Sequence, residues 1–577
     1  IRAAQARLTS NLETAEQAYR TLTQIAPHDA ETFFDLGSVQ EARGELPAAL
    51  ESYRRTTTLD SKHPNAHFAV GRVQFKLGNP SAAMQEFTIS LNLHTESGND
   101  EGRATVLNGL GNASMFLGRY DDALKDYQES LMIRRRIDDR RGILAVLNNI
   151  AIVLRRQGKY DDAIRSRQEA LSVAHELKDR NGLADCYSNL GDLYQATGRP
   201  EDALHSYEES LKIVREIDDR ASLARSLANV GYINSVLGQY VQAFFFLREA
   251  LEKRRDIGDK SEIVRSLVDL GIVEQLQGRY EEALKYYTEG LALAKETDNK
   301  GQQPVLSANL SNIHEEQGEY GPALSQLVEA EKLARDTNDR SVLATCLIDV
   351  GSVRLRLGDP DAAGKALDEA IALAQGMKNT PLQAEAQIKQ AELLLARGDR
   401  ARAVAAARDA GALAKRSRDM RLQLLARLGA GEASRSTRDL EAVAREARSA
   451  GLLPVAAAAR LAAARLHLAA GRTSYAARAA AEAWTVATPL HLRDILFQAC
   501  YLTGKALKTQ GQTTAAQSRF RDALDLLDEM RQGLSGRDLA LFLARPETTE
   551  FARDASSVFQ GANLPQEADR LQALLRP

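Results

Sequence analysis

LGRYDDALKDY at residues 117–127 returns as QGKYDDAIRSR at 157–167, TGRPEDALHSY at 197–207, LGQYVQAFFFL at 237–247 and QGRYEEALKYY at 277–287, one copy every 40 residues. A phrase that recurs at fixed spacing through a chain of 577 residues marks repeated stacking of one supersecondary unit. Each unit then packs only on its neighbours, and the ceiling of roughly 250–300 residues on a single core does not apply.

The phase of the small residues gives the unit its anatomy. Gly111, Ala151, Gly191, Gly231, Gly271, Ser311, Gly351 and Ala391 stand 40 apart, and seven residues after each comes a second glycine, from Gly118 to Gly398. That second glycine reads as the turn between two helices, because a residue without Cβ enters the left-handed conformation at little cost. Five residues further on stands an alanine in every unit, Ala123 through Ala403, where a small side chain lets the helices approach. Apolar spacing before the turn (Leu107, Leu110) and after it (Leu124, Tyr127, Leu131) predicts an antiparallel pair, helix A and helix B. In the connectors, Asp139, Asp179, Asp219, Asp259 and Asp339 fall just before each helix A and are expected to cap its first turn.

The LGxx(Y) of helix A, the turn glycine, the recurring small residue and the aromatic four beyond it (Tyr53, Phe87, Tyr127, Tyr207, Tyr287, Phe520) resemble the tetratricopeptide repeat (TPR) family. Gly71 follows Gly37 by 34 residues, the ordinary length of such a repeat; from Gly111 the period is 40, which resembles the mitotic-scaffold (LGN/Pins) class and bacterial Rap-type or kinase-linked TPR regulators. The resemblance implies an all-α, right-handed superhelical solenoid of antiparallel helix pairs with helix A on the concave face. Residues 1–98 read as 34-residue units, the first partial; 99–418 as 40-residue units; 419–530 as degenerate, Ala/Arg-rich units; and 531–577 as a C-terminal cap, about thirteen units in all. Within 419–530 the turn glycine is expected to be replaced by Arg438 and the small residue by Val443. The phrase LFLARP at 541–546 resembles the tails of bacterial TPR signalling proteins.

Composition narrows the partners. Seventy-five Lys and Arg against 78 Asp and Glu leave a net charge of −3, which points to neither nucleic acid nor a membrane surface. No apolar run reaches the ~20 residues that span a bilayer. Cys186, Cys346 and Cys500 fit no disulfide framework and read as buried small hydrophobes of a reducing, cytoplasmic compartment. The chain opens on Ile1 in the middle of a helical pattern, which fits a segment of something longer. Phosphate loop, HExxH, GxSxG and kinase signatures are missing from the sequence, and His63 and His67 flank Pro64 without a third ligand. We therefore expect no enzyme, no metal and no cofactor.

Recognition is expected on helix A. Two residues before the phased small residue lies a polar series, Asn149, Asn189, Asn229, Asp269, Asn309 and Asp349, with Asp35 in an early unit. A carboxamide offers both donor and acceptor and so pairs with any peptide unit; in the resembling families asparagines here clamp the main chain of an extended ligand. The alternative is a hydrogen bond to the neighbouring helix. Asp185, Arg225, Tyr232 and Arg265 share the face. Arg155 and Arg156 follow Asn149, whereas Glu315 and Glu316 follow Asn309, so the groove is expected to suit a ligand acidic at one end and basic at the other. On helix B, Phe245, Phe246 and Tyr286 replace the usual polar residues of the convex side and offer a surface for a partner or for self-association. Residues 401–484 hold 14 Arg and one Lys against seven acids, yet few aromatics, which disfavours nucleic acid there. The reading is a protein- or peptide-binding module, with two alternatives: a scaffold assembled through its convex and basic surfaces, or the sensor arm of a multidomain kinase.

Overall fold

Helix A and helix B form in every copy of the phrase. The computed structural model describes residues 11–217 and 219–575, and among these every regular element is helical, thirty α-helices and one short 3-10 turn, with no strand. They form two compact units, Ile1–Asp219 and Arg220–Pro577.

In the first unit, helix Asp100–Phe116 ends at Gly118, whose φ of +74° turns the chain, and Tyr120–Arg136 runs back beside it. The N–H of Arg119 then donates to the Ser114 carbonyl at 2.9 Å, satisfying a carbonyl the helix end leaves open. Among the connector aspartates, Asp139 accepts from the Gly142 N–H at 2.9 Å, Asp179 from Gly182 at 3.0 Å, Asp259 from Glu262 at 3.1 Å and Asp339 from Val342 at 3.0 Å, as expected for caps. Each such cap contributes about 1 kcal/mol.

The phased small residue answers the aromatic of helix B. A Cβ on Gly111 would lie 2.5 Å from the Tyr127 ring, and one on Gly271 2.3 Å from Tyr287. Tyr127 and Tyr287 are fully buried through this fit, each stabilising its pair by about 1.5–3 kcal/mol. In the unit that carries Ala151, helix B holds Arg167 in place of the ring, buried to 5 % exposure.

The degenerate unit differs in detail from expectation. Helix Met420–Ser434 ends at Arg435, which takes the left-handed turn at φ +56°, while Arg438 lies inside the following helix Thr437–Ser449. Leu440, five residues past the turn, packs against Gly431 where an alanine packs in the other units. Three residues have been lost from helix A, and the turn has moved forward with them.

In the second unit the C-terminal helices Gly536–Leu543, Pro546–Gly561 and Pro565–Leu574 do more than cover an end. Phe542, Phe551 and Phe559 share one core with Phe497 and Phe520 and also with Tyr320, Leu324, Val353 and Leu357. Polar contacts fasten the return. Arg493 donates to the Gln317 carbonyl at 2.9 Å and pairs with Glu319 at 3.1 Å; Arg354 meets Asp538 at 2.7 Å and Arg537 meets Asp359 at 3.1 Å. Arg545 donates to the Arg356 carbonyl at 2.9 Å, pairs with Asp494 at 3.3 Å and lies over the Phe542 ring at 4.2 Å. At Gly321 the returning chain comes so close that a Cβ would stand 2.3 Å from the Gly533 oxygen.

All three cysteines are free and buried, and burial pushes their thiols up, Cys186 and Cys500 to about 11 and Cys346 to about 12. No helix among the described residues is long and apolar enough to cross a membrane, and no group of His, Cys, Asp and Glu there is arranged to hold a metal.

Candidate functional site

In the first unit the polar series is partly spoken for. The Asn149 amide donates to Asn108 at 3.0 Å and to Asn112 at 3.4 Å, and Asn112 also accepts from the Tyr127 hydroxyl at 2.6 Å. At this rung the neighbouring helix takes the carboxamide. Asn189 donates to the Asp185 carbonyl of its own helix at 2.7 Å, which leaves its amide oxygen for other use. Asp185 is exposed, and Arg155 and Arg156 are exposed without an ion pair among the described residues. Arg155, Asn189, Ala151, Ile152, Leu193 and the buried Arg167 line one depression.

The second unit gathers charge. Helices Gln303–Glu316, Arg340–Arg356, Thr380–Ala396 and Met420–Ser434 present Glu315 and Glu316, Asp349 and Arg356, Glu385, Lys389 and Glu392, and Arg421 and Glu432. These groups act on one another's charge across several repeats: Asp349 feels Glu385, Glu315, Lys389 and Arg421, and Glu316 feels Glu315, Arg421 and Lys389. They touch water and are surrounded by protein at once, as groups on the inner wall of a curved array must be. Several are paired, Arg421 with Glu385 at 2.7 Å, Lys389 with Glu392 at 3.3 Å and Arg465 with Glu432 at 3.1 Å, and Glu315 accepts from the Ser352 hydroxyl at 2.6 Å.

Three carboxylates are left over. Burial lifts Asp269 to about 6 against the pull of Arg254 and Arg265. Burial likewise raises Glu316, although the Tyr280 hydroxyl donates to it. Asp349 is pushed well above the usual carboxylate range by burial and then by Glu385 and Glu315. The Asp349 Oδ2 and the Asn309 Nδ2 at the preceding rung are buried, and neither has a hydrogen-bond partner among the described residues. An unmade bond of this kind costs roughly 1–3 kcal/mol.

Beside Asp269 the wall is open and apolar: Tyr232 is 43 % and Ile272 38 % exposed. Asn229 is half-buried, Arg225 is exposed, and Arg265 pairs with Glu262 at 2.9 Å. On helix Tyr240–Ile257, Phe245 is 54 % exposed and meets Phe246 edge-on at 5.5 Å between centroids. Tyr286 is half-buried against the core of Leu247, Leu251 and Leu270.

Period-40 reading of helix A finds the polar series, and the break in it at Lys389, but misses Arg167, Arg356 and Arg421. Arg167 was detectable, since it ends a phrase that three of the other four copies close with tyrosine. Arg356 and Arg421 carry no such signal, because their importance comes from which other helices the curvature brings near.

Three family matches cover the chain in sequence: Tetratricopeptide repeat over residues 9–64 and 34–92, Tetratricopeptide repeat over 102–176 and 142–216, and MalT-like TPR region over 221–531. No curated protein matches the sequence. Among solved structures, BtubC from P. vanneervenii is 20 % identical, covering 37 % of this chain and 91 % of that one with a TM-score of 0.34. A STAND protein with a tetratricopeptide repeat sensor from Pyrococcus horikoshii is 20 % identical over 70 % of this chain and 55 % of that one, TM-score 0.40. The apo form of RapI is 16 % identical over 47 % and 99 %, TM-score 0.37. With the helix pairs, the glycine turns and the buried aromatics in place, and with more than half of its residues in one match, the chain belongs to the tetratricopeptide repeat proteins and carries a MalT-like TPR region.

Proposed function

We propose that this repeat protein receives an extended peptide segment of a partner protein along the polar faces of its A helices, and that it acts by binding rather than by catalysis, as the regulatory part of a larger cytoplasmic signalling or assembly protein. The observation that supports this most is the pair of buried, unpartnered polar atoms at consecutive rungs, Asn309 Nδ2 and Asp349 Oδ2. One is a donor and the other an acceptor, the two functions that a peptide unit complements. Asn189, Asn229 and Asp269 extend the series, Arg155, Arg156, Asp185, Arg225 and Arg265 supply charge beside it, and Tyr232 supplies apolar contact. Asn149 is the weakest rung because Asn108 and Asn112 already engage it.

The test is capture of partners from the source lysate by the wild-type protein, by Asn309→Ala/Asp349→Ala and by Asn189→Ala/Asn229→Ala, followed by mapping of the bound segment. Loss of one defined segment with the rung variants is expected; retention of every captured partner by both double variants sinks the proposal. A second reading rests on the exposure of Phe245 beside Phe246, with Tyr286 in the following unit: assembly of copies through the convex side. Under that reading Phe245→Asp lowers the mass measured by light scattering and leaves peptide capture intact.

A further inference from the structure

The glycines that turn helix A into helix B have unequal surroundings. A Cβ on Gly118, Gly158, Gly238 or Gly398 would meet nothing within 4 Å. One on Gly318 would lie 3.2 Å from the Arg493 Cβ and the Met530 Cγ, and one on Gly358 3.1 Å from the Arg545 Cγ and the Leu541 carbonyl oxygen. Leu357, just before the second of these turns, is fully buried, whereas Leu77 and Leu117 hold the same place in their units and are each 37 % exposed. Two turns of the second unit are thus covered by chain from its far end.

The cover closes a circuit. Helices Arg340–Arg356, Thr380–Ala396, Met420–Ser434, Leu453–Ala469 and Arg493–Thr509 each touch the next. Arg356 at the end of the first meets Asp494 at the start of the last at 3.9 Å, so the wall that carries Asp349 is shut along that line.

The two sides of the cover are built differently. Towards the last helix pair it is apolar: the Phe551 ring packs on Phe497, Tyr501 and Phe520 at 5.3, 5.7 and 6.1 Å between centroids. Towards the turns, Phe542 meets Tyr320, and charged pairs surround that contact: Arg354 with Asp538, Arg537 with Asp359, Arg493 with Glu319 and Arg545 with Asp494. Closure also leaves polar atoms unmet there. The buried Arg545 Nε and Nη2 and the Tyr320 hydroxyl have no hydrogen-bond partner among the described residues. Water would satisfy all three once the seam parted, which lowers the cost of opening. Surfaces that stay joined for the life of a protein are the more apolar ones, and those that part keep groups that water can receive.

We infer that the C-terminal helices are a latch: the seam along Gly318 and Gly358 parts without unfolding, the last helix pair and its cap swinging away together, and so opens the wall of Asn309 and Asp349 to a ligand segment arriving from the side. The nature of that ligand rests on the peptide-binding reading. The movement itself is tested without any peptide.

Leu357→Cys places a thiol in the seam, and the native Cys500, 1 % exposed on the cap's apolar side, is the reference within the same molecule. Labelling by N-ethylmaleimide in native buffer is followed by peptide mass spectrometry. The introduced thiol is expected to react at least about ten-fold faster than Cys500, as local opening ahead of global unfolding requires. Raising sodium chloride from about 0.05 to 0.5 M is expected to speed it further, about three-fold, because salt screens the pairs of the seam. A second protein keeps Leu357 and carries Gly318→Cys/Arg493→Cys, whose Cβ atoms would stand 3.2 Å apart, close to the roughly 3.5–4.5 Å of a disulfide. With Asp349→Cys added, a maleimide-bearing polyethylene glycol of about 5 kDa is expected to reach position 349 at least about ten-fold more slowly under the closed bond than in Asp349→Cys alone. Labelling of the seam thiol in step with Cys500 overturns the inference, as does equal access to position 349 with and without the bond. If the seam opens and the bond blocks position 349 while the wild type captures no partner segment, the latch stands and the peptide reading falls.

Discussion

The two units use the same repeat to opposite effect. In Ile1–Asp219 the contacts described run between neighbours in the sequence, and the depression at Arg167 gathers positive charge. In Arg220–Pro577 the array is fastened to itself by its last helices, and surplus carboxylates, Asp269, Glu316 and Asp349, stand on its inner wall. A helix pair fixes only how it meets the next pair. Closure and charge are decided by what the curvature brings together many units later.

The sharpest way to break this contrast is at the fastening. Phe542→Ala removes a ring buried against Tyr320 at 6.0 Å between centroids, and is expected to cost about 3–5 kcal/mol. Hydrogen exchange read peptide by peptide should rise over 318–359 and 490–575 together while 12–216 stays unchanged; a rise confined to the cap would dissolve the distinction between the units.

Next in size is a local lesion in the first unit. Gly191→Ala would place a Cβ 2.5 Å from the Tyr207 ring, a clash worth about 1–3 kcal/mol of overpacking. Faster exchange is expected in helices Arg180–Ala196 and Pro200–Ile217 and the pairs beside them, fading with distance as nearest-neighbour coupling requires.

Asp269→Asn sharpens the electrostatic side. Because burial raises the carboxyl from 3.8 to about 6 in the folded state, its ionised form opposes folding, fully so above pH 6. The penalty is relieved as pH falls through about 6 and is gone only below about 3.8, where folded and unfolded chains are both protonated. The Asn variant should therefore gain about 1–2 kcal/mol at pH 8, after allowance for partial exposure, and nothing near pH 3. Denaturant midpoints at the two values check this, with Arg254, Arg265 and Glu262 as the charges facing the site. A gain that is equal at both values removes ionisation as the cause.

The smallest effect is expected at a cap. Asp179→Ala frees the Gly182 N–H and should cost about 1 kcal/mol, visible as a slightly lower denaturant midpoint with unchanged slope.

Much of the fold is legible because the signals are local. The glycine that must turn at 118 and the aspartate that must cap at 139 each act within one turn of helix. Arg438 shows the limit: with no glycine to mark the turn, the phase slipped by three residues, and the left-handed position fell to Arg435. The candidate site was legible as a series of positions but not as a set of bonds. Asn149 and Asn309 are the same residue type at the same phase, yet the amide of one donates to Asn108 and that of the other to nothing among the described residues. Asn149 reaches Asn108 and Asn112 of the preceding A helix, whereas the Asn309 Nδ2 finds no partner among the described residues, a difference of side-chain placement that the phase of the repeat does not carry.

The return of the last helices also sets a timetable for synthesis. Tyr320, Val353 and Leu357 share a core with Phe542 and Phe551, which lie more than 180 residues further along the chain than Leu357. At a translation rate of about 5–20 residues per second, that surface leaves the ribosome roughly 10–40 s before its cover exists. The first unit can be completed pair by pair as it emerges, whereas the second spends its assembly with an apolar flank bare. Any condition that slows elongation past residue 357 lengthens the interval in which that flank must be shielded by a chaperone or by a neighbouring nascent chain.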